Sequence, residues 1–139
     1  MSQVIFIVDQ PNAQHNRLAL CAQLLSMWIQ RETPAFCLTE NQDYADFLDN
    51  YLWTEQQFLP HMQGKYNPAY CQVTISSTIE DAGDCQNIFN CTHQALNPQK
   101  DNAYDIIEWV SNQPNEKAIM RERFAQYKAL SIKPQTMRI

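Results

Sequence analysis

Lys117, Arg121, Phe124 and Lys128 stand at i, i+4, i+7 and i+11 near the end of the 139-residue chain. On a helix turning about 100° per residue they fall within about 60° of one another. That is a cationic stripe with an aromatic ring in its middle. The chemistry it offers is recognition. Arg121 can grip a carboxylate through two parallel N–H bonds, and Phe124 or Tyr127 can wall an apolar pocket. A peptide ending in carboxylates and an apolar side chain would suit it. The alternative is a solvated basic face with Phe124 buried.

A second constellation lies in NYLWTEQQFLPHMQG, residues 50–64. Trp53 ends a helical pattern, and Phe58, Leu59, Pro60 and His61 follow. Pro60 fixes its own φ and biases Leu59 toward an extended form, which can hold Phe58 outward. Aromatic anchors on a stiff loop resemble the hot spots of protein interfaces. A loop tucked under a sheet edge is the competing reading.

Signals for catalysis are weaker. The only glycines are Gly64 and Gly83, and VDQPNAQHN after the first apolar run has none. A phosphate cradle needs backbone N–H groups unobstructed by Cβ, so dinucleotide and P-loop sites are disfavoured, and no cofactor is expected. No G-x-S-x-G elbow is present. Asp9 ends the first apolar run, where α/β enzymes often place a carboxylate, but no partner stands beside it in sequence. A turn residue accepting local N–H bonds is the favoured reading. His61 reads as a surface or partner-facing imidazole. A small cytosolic α/β enzyme using Asp9 or His61 remains the rival class, and a general acidic-peptide adaptor is a second rival. Cys85, Cys91 and His93 form C-x5-C-x-H, poor zinc spacing without a fourth ligand, so no metal site is expected.

These residues need elements to hold them. VIFIV (4–8) is a continuous apolar, β-branched run and predicts a buried strand. Leu18, Cys21, Leu24, Leu25, Trp28 and Ile29 recur at helical spacing within residues 15–32. PAFCLT (34–39) predicts a second strand, with Thr39 capping a helix through Trp53 whose inner side holds Phe47, Leu48, Tyr51 and Leu52. Residues 69–78, 84–92 and 103–110 read as strands. Pro114 suits the first turn of a helix to about Leu130, with Ala118, Ile119, Met120 and Tyr127 toward the sheet. The tail reads as irregular. This order implies one α/β domain over residues 1–139: a three-layer, Rossmann-like, mainly parallel sheet flanked by helices.

Charge is unevenly spread. The net charge is −5. Residues 1–116 carry four basic and fourteen acidic side chains, whereas residues 117–139 carry six basic ones and only Glu122. An acidic partner for the C-terminal end follows from that asymmetry, and direct binding to nucleic-acid backbones is disfavoured. A helix whose last turns carry cations that favour its dipole is the plainer account. The N-terminus lacks a basic n-region, no stretch approaches the ~20 apolar residues of a membrane span, and five cysteines fit reduced thiols. A cytoplasmic protein is expected.

Taken together, LDNYLWTEQQFLPH (48–61) and RERFAQYK (121–128) resemble the Leu-Asp…Leu-Trp…Phe-x-Pro-His and R-E-R-[YF]-x-x-Y patterns of the bacterial DNA polymerase III chi subunit family. PAFCLTENQDYADFLDNYLW and, more loosely, VIFIVDQ are also similar, so the resemblance covers nearly the whole chain. It implies an α/β subunit without catalytic activity, DNA-directed polymerase activity belonging to the holoenzyme. It implies pairing with the psi subunit, which links it to the clamp loader, and binding of the acidic C-terminal tail of single-stranded DNA-binding protein. Trp53, Phe58, Leu59, Pro60 and His61 would face psi, on a side the family can also use for a repair helicase. Lys117, Arg121, Phe124, Tyr127 and Lys128 would form the tail pocket. DNA would be reached only indirectly. Where some relatives carry a basic residue beside the aromatic, Ala125 stands here.

Overall fold

The computed structural model describes residues 3–54, 59–97 and 104–139. Strand β1 (Val4–Val8) leads through a turn to helix α1 (Arg17–Gln30), capped by Asn16, whose side-chain oxygen accepts from the Ala19 N–H at 2.8 Å. Strand β2 (Ala35–Thr39) is buried throughout and precedes helix α2 (Gln42–Thr54). Asn41, not Thr39, caps α2: its side chain accepts from Tyr44 N–H at 2.8 Å. Thr39 is still in the strand, two residues too early for that geometry. The buried side of α2 is Ala45, Leu48 and Leu52, and Phe47 is 52% exposed, contrary to expectation.

The chain continues through β3 (His61–Gln63), β4 (Val73–Ser76), a short 3-10 turn (Ile79–Ala82), β5 (Asn87–Cys91) and β6 (Asp105–Val110). Helix α3 (Pro114–Ala129) follows, with Pro114 in its first turn, and strand β7 (Gln135–Arg138) closes the chain. The sequence suggested neither β3 nor β7. Both are short edge strands, and β7 buries none of its four residues, so no apolar alternation marks it.

Among the described residues the seven strands form one sheet in the order β3-β4-β2-β5-β6-β1-β7, every pairing parallel. The period of two in a strand sorts side chains between two cores. Ile7, Cys37, Phe89, Ile107 and Trp109 pack with α1 and α2 on one face. Val4, Phe6, Phe36, Ile88 and Ile106 pack with Met120 and Tyr127 of α3 and Ala82 of the 3-10 turn on the other. The result is the three-layer α/β, Rossmann-like architecture. Helices α1 and α2 carry the chain toward the β3 edge on one face, and the 3-10 turn and α3 return it toward β7 on the other. When crossovers share one hand, reversing direction requires changing face. Among the described residues no helix is long and apolar enough to cross a membrane.

Candidate functional site

Helix α3 lies on the sheet through Glu116, Met120, Arg123 and Tyr127, its buried residues. Ile119, expected to turn inward, is 47% exposed, and Ala118 is exposed. The inward face carries polar groups instead. Glu108, fully buried on β6, receives Arg123 at 3.0 and 3.1 Å, the Tyr127 hydroxyl at 2.6 Å and the Asn90 amide at 2.6 Å. Arg123 also donates to the Thr92 carbonyl, and the Tyr127 hydroxyl accepts from Leu96 N–H. This network ties α3 to the loop after β5. Burial pushes the Glu108 carboxyl upward, against the pull of Arg123, Tyr127 and Asn90. Burial, then the Glu108 charge, pushes the Tyr127 phenol upward.

About 100° around the helix, the cationic stripe emerges where α3 overhangs β1 and β7. A groove of about 490 Å³ opens there. Its apolar walls are Phe6, Val8, Val110, Met120 and Phe124, and Lys117, Arg121 and Arg138 supply positive charge. The Phe124 ring leans on Phe6 with centroids 5.3 Å apart. Lys128 Nζ stands 5.3 Å from the Phe124 centroid, a cation–π geometry. Lys117, Arg121 and Lys128 are exposed, and among the described residues none of them enters an ion pair. Three of the five expected tail-pocket residues therefore line one groove, and Lys128 stacks beside it. Tyr127 sits behind it, fully buried with its ring edge-on to Phe6 at 5.9 Å. The sequence reading missed Phe6, Val8, Val110 and Arg138, which only the sheet order brings to α3.

The Trp53 region divides. Trp53 is 55% exposed and stacks on the His61 ring at 4.2 Å. His61 is buried rather than on the surface. Its Nδ1 meets the Leu59 carbonyl at 2.8 Å and its Nε2 meets Asp49 Oδ1 at 2.7 Å, joining β3 to α2. Leu59 is also buried, in the core beneath α1 and α2. Pro60 is half-buried beside Ile29 and the exposed Tyr70. Phe58 lies outside the described residues. Leu59 and His61 thus anchor the entry to β3, and the end of α2 presents Trp53.

Asp9 does have a partner: His15 Nδ1 donates to its Oδ2 at 2.9 Å, and Gln10 N–H donates to Oδ1 at 2.8 Å. Asp9 is wholly buried, and the cavity beside His15 holds only about 130 Å³. Cys85 and Cys91 pack on opposite faces of the sheet, so their spacing with His93 does not converge. Among the described residues no group of three or more His, Cys, Asp or Glu could hold a metal ion.

The sequence model of the DNA polymerase III chi subunit (HolC) family matches residues 1–135 of the 139. No curated protein matches the chain. The chain belongs to the chi subunit family.

Proposed function

We propose that this member of the chi family is a non-catalytic accessory subunit that holds the acidic C-terminal tail of single-stranded DNA-binding protein in the α3 groove. It pairs with the psi subunit through the Trp53 side, so linking the clamp loader to the coated lagging-strand template in the bacterial cytoplasm. One observation supports this reading: Arg121 and Lys117, without ion-pair partners among the described residues, stand beside an apolar trough of about 490 Å³.

Each part of the groove has a task. Arg121 takes a carboxylate through two N–H bonds, and Lys117 adds a point charge without fixed geometry. Phe124, Phe6 and Val110 take the apolar side chain of the peptide terminus. Tyr127 contributes from behind, by fixing the helix over the groove. Lys128 holds the Phe124 ring and adds long-range attraction. With Ala125 beside Phe124, one cation fewer is offered than in some relatives. Trp53, backed by His61, and Pro60 form the psi-facing surface among the described residues. Leu59 shapes that surface from within, and a repair helicase is a second occupant of the same side.

The mechanism is tethering. A single tail contact need not be strong, because a partner with several tails raises the effective concentration at the coated strand. The acidic remainder of the chain repels DNA, so the coated strand is met through its protein. Polymerase activity belongs to the assembled holoenzyme.

Calorimetry with an acidic peptide ending in an apolar residue tests the groove. Arg121→Ala is expected to weaken binding at least tenfold, about 1.4 kcal/mol. Unchanged affinity would refute the site. Binding by the parent is expected to weaken with added salt.

A further inference from the structure

Among the described residues strand β7 ends the sheet and pairs only with β1, and all four of its residues are exposed. Ile139 N–H donates to the Val8 carbonyl at 3.3 Å. Main-chain groups alternate sides along a strand, so those of Met137 face β1 and those of Thr136 and Arg138 face outward. The side chains of the same two residues line the α3 groove. The free edge and the groove are therefore continuous.

Charge distinguishes this edge from the other. At the β3 edge, Gln63 Nε2 donates to Asp46 at 3.1 Å and to Asp49 at 3.1 Å, so carboxylates crowd it. The β7 edge carries Arg138, with Lys117 and Arg121 across the groove and Lys133 just before the strand. An extended chain rich in carboxylates is repelled at one edge and attracted at the other.

We propose that the outer edge of β7 takes up an extended acidic peptide as an added strand, the same peptide whose terminal residues enter the α3 groove. The inference rests on the groove reading above and adds a second, main-chain mode of recognition. The N–H and C=O groups of Thr136 and Arg138 bond every other residue of the peptide upstream of its terminus. Alternate positions of the peptide consequently matter for a reason independent of side-chain identity.

The test uses the full chain and an acidic peptide of about ten residues ending in an apolar residue. Two further versions carry backbone N-methyl groups at alternate positions upstream of the last three residues, in opposite phases. One phase should bind about tenfold more weakly and the other within about twofold of the parent. Amide hydrogen exchange at Thr136 and Arg138 should slow when the parent binds. Parent-like binding by both versions, or equal loss in both without slowed exchange, overturns the added strand. If Arg121→Ala still weakens the parent in that case, the groove reading survives. A parent peptide that does not bind at all overturns both.

Discussion

Two stripes of the same spacing run along α3, one residue apart. Glu116, Met120, Arg123 and Tyr127 face the sheet, whereas Lys117, Arg121 and Phe124 line the groove and Lys128 stacks beside it on Phe124. Each carries an arginine and an aromatic ring, yet their circumstances differ completely. Arg123 meets both oxygens of a buried carboxylate and a carbonyl, whereas Arg121 meets no ion-pair partner among the described residues. A rotation of about 100° separates a charge consumed by the fold from one without an ion-pair partner among the described residues. The function of a charged residue follows from where its hydrogen-bonding capacity is already spent.

The largest effect that can break this contrast is in the buried stripe. Glu108→Leu should cost about 3–5 kcal/mol in urea unfolding, because the Arg123 guanidinium cannot shed its charge. Arg121→Ala should change stability by no more than about 0.5 kcal/mol. Equal losses from the two substitutions would erase the distinction. Next in size, Trp53→Ala should cost about 2 kcal/mol or more in psi binding and abolish co-purification, with tail-peptide affinity intact. Simultaneous loss of both would place Trp53 in folding rather than docking. The tenfold loss of peptide affinity in Arg121→Ala is smaller.

The smallest effect sharpens the contrast through pH. The folded carboxyl of Glu108 is raised above its ordinary value of 4.5. Between that value and the raised one, the folded chain binds more protons than the unfolded chain. The contribution of Glu108 is therefore fully present below about 4.5 and declines as pH rises through the raised value. Glu108→Gln should remove that slope from stability against pH, and Arg121→Ala should leave it unchanged.

Much of the architecture was legible because a buried strand and an amphipathic helix each leave a periodicity. VIFIV and the Leu20–Leu25 region show it, and α3 was placed nearly to its ends by Pro114. Edge strands leave none. Gln135–Arg138 reads as polar tail because β7 contributes exposed residues and a backbone partner rather than core. The cationic stripe was legible for the same reason as the helices: its residues lie on one element. The apolar floor was not, since Phe6, Val8 and Val110 reach α3 only through a sheet order that local sequence does not encode. Glu108 did leave a trace, a carboxylate amid DIIEWV, but its partners lie 15 and 19 positions later. His61 shows the opposite limit. Its sequence neighbours suggest exposure, and only Asp49 and Leu59 explain why the ring turns inward.

The cysteines give the fold a clock. Cys21, Cys37, Cys85 and Cys91 are buried, whereas Cys71 is not. Hydrogen bonding to Cys91, together with burial, holds the Cys21 and Cys37 thiols well above the usual range. A thiol-reactive reagent will thus modify Cys71 promptly and the rest only at the pace of opening. Because Cys85 belongs to the layer under α3 and the other three sealed thiols to the layer under α1 and α2, modification rates read site by site time the loosening of each layer separately.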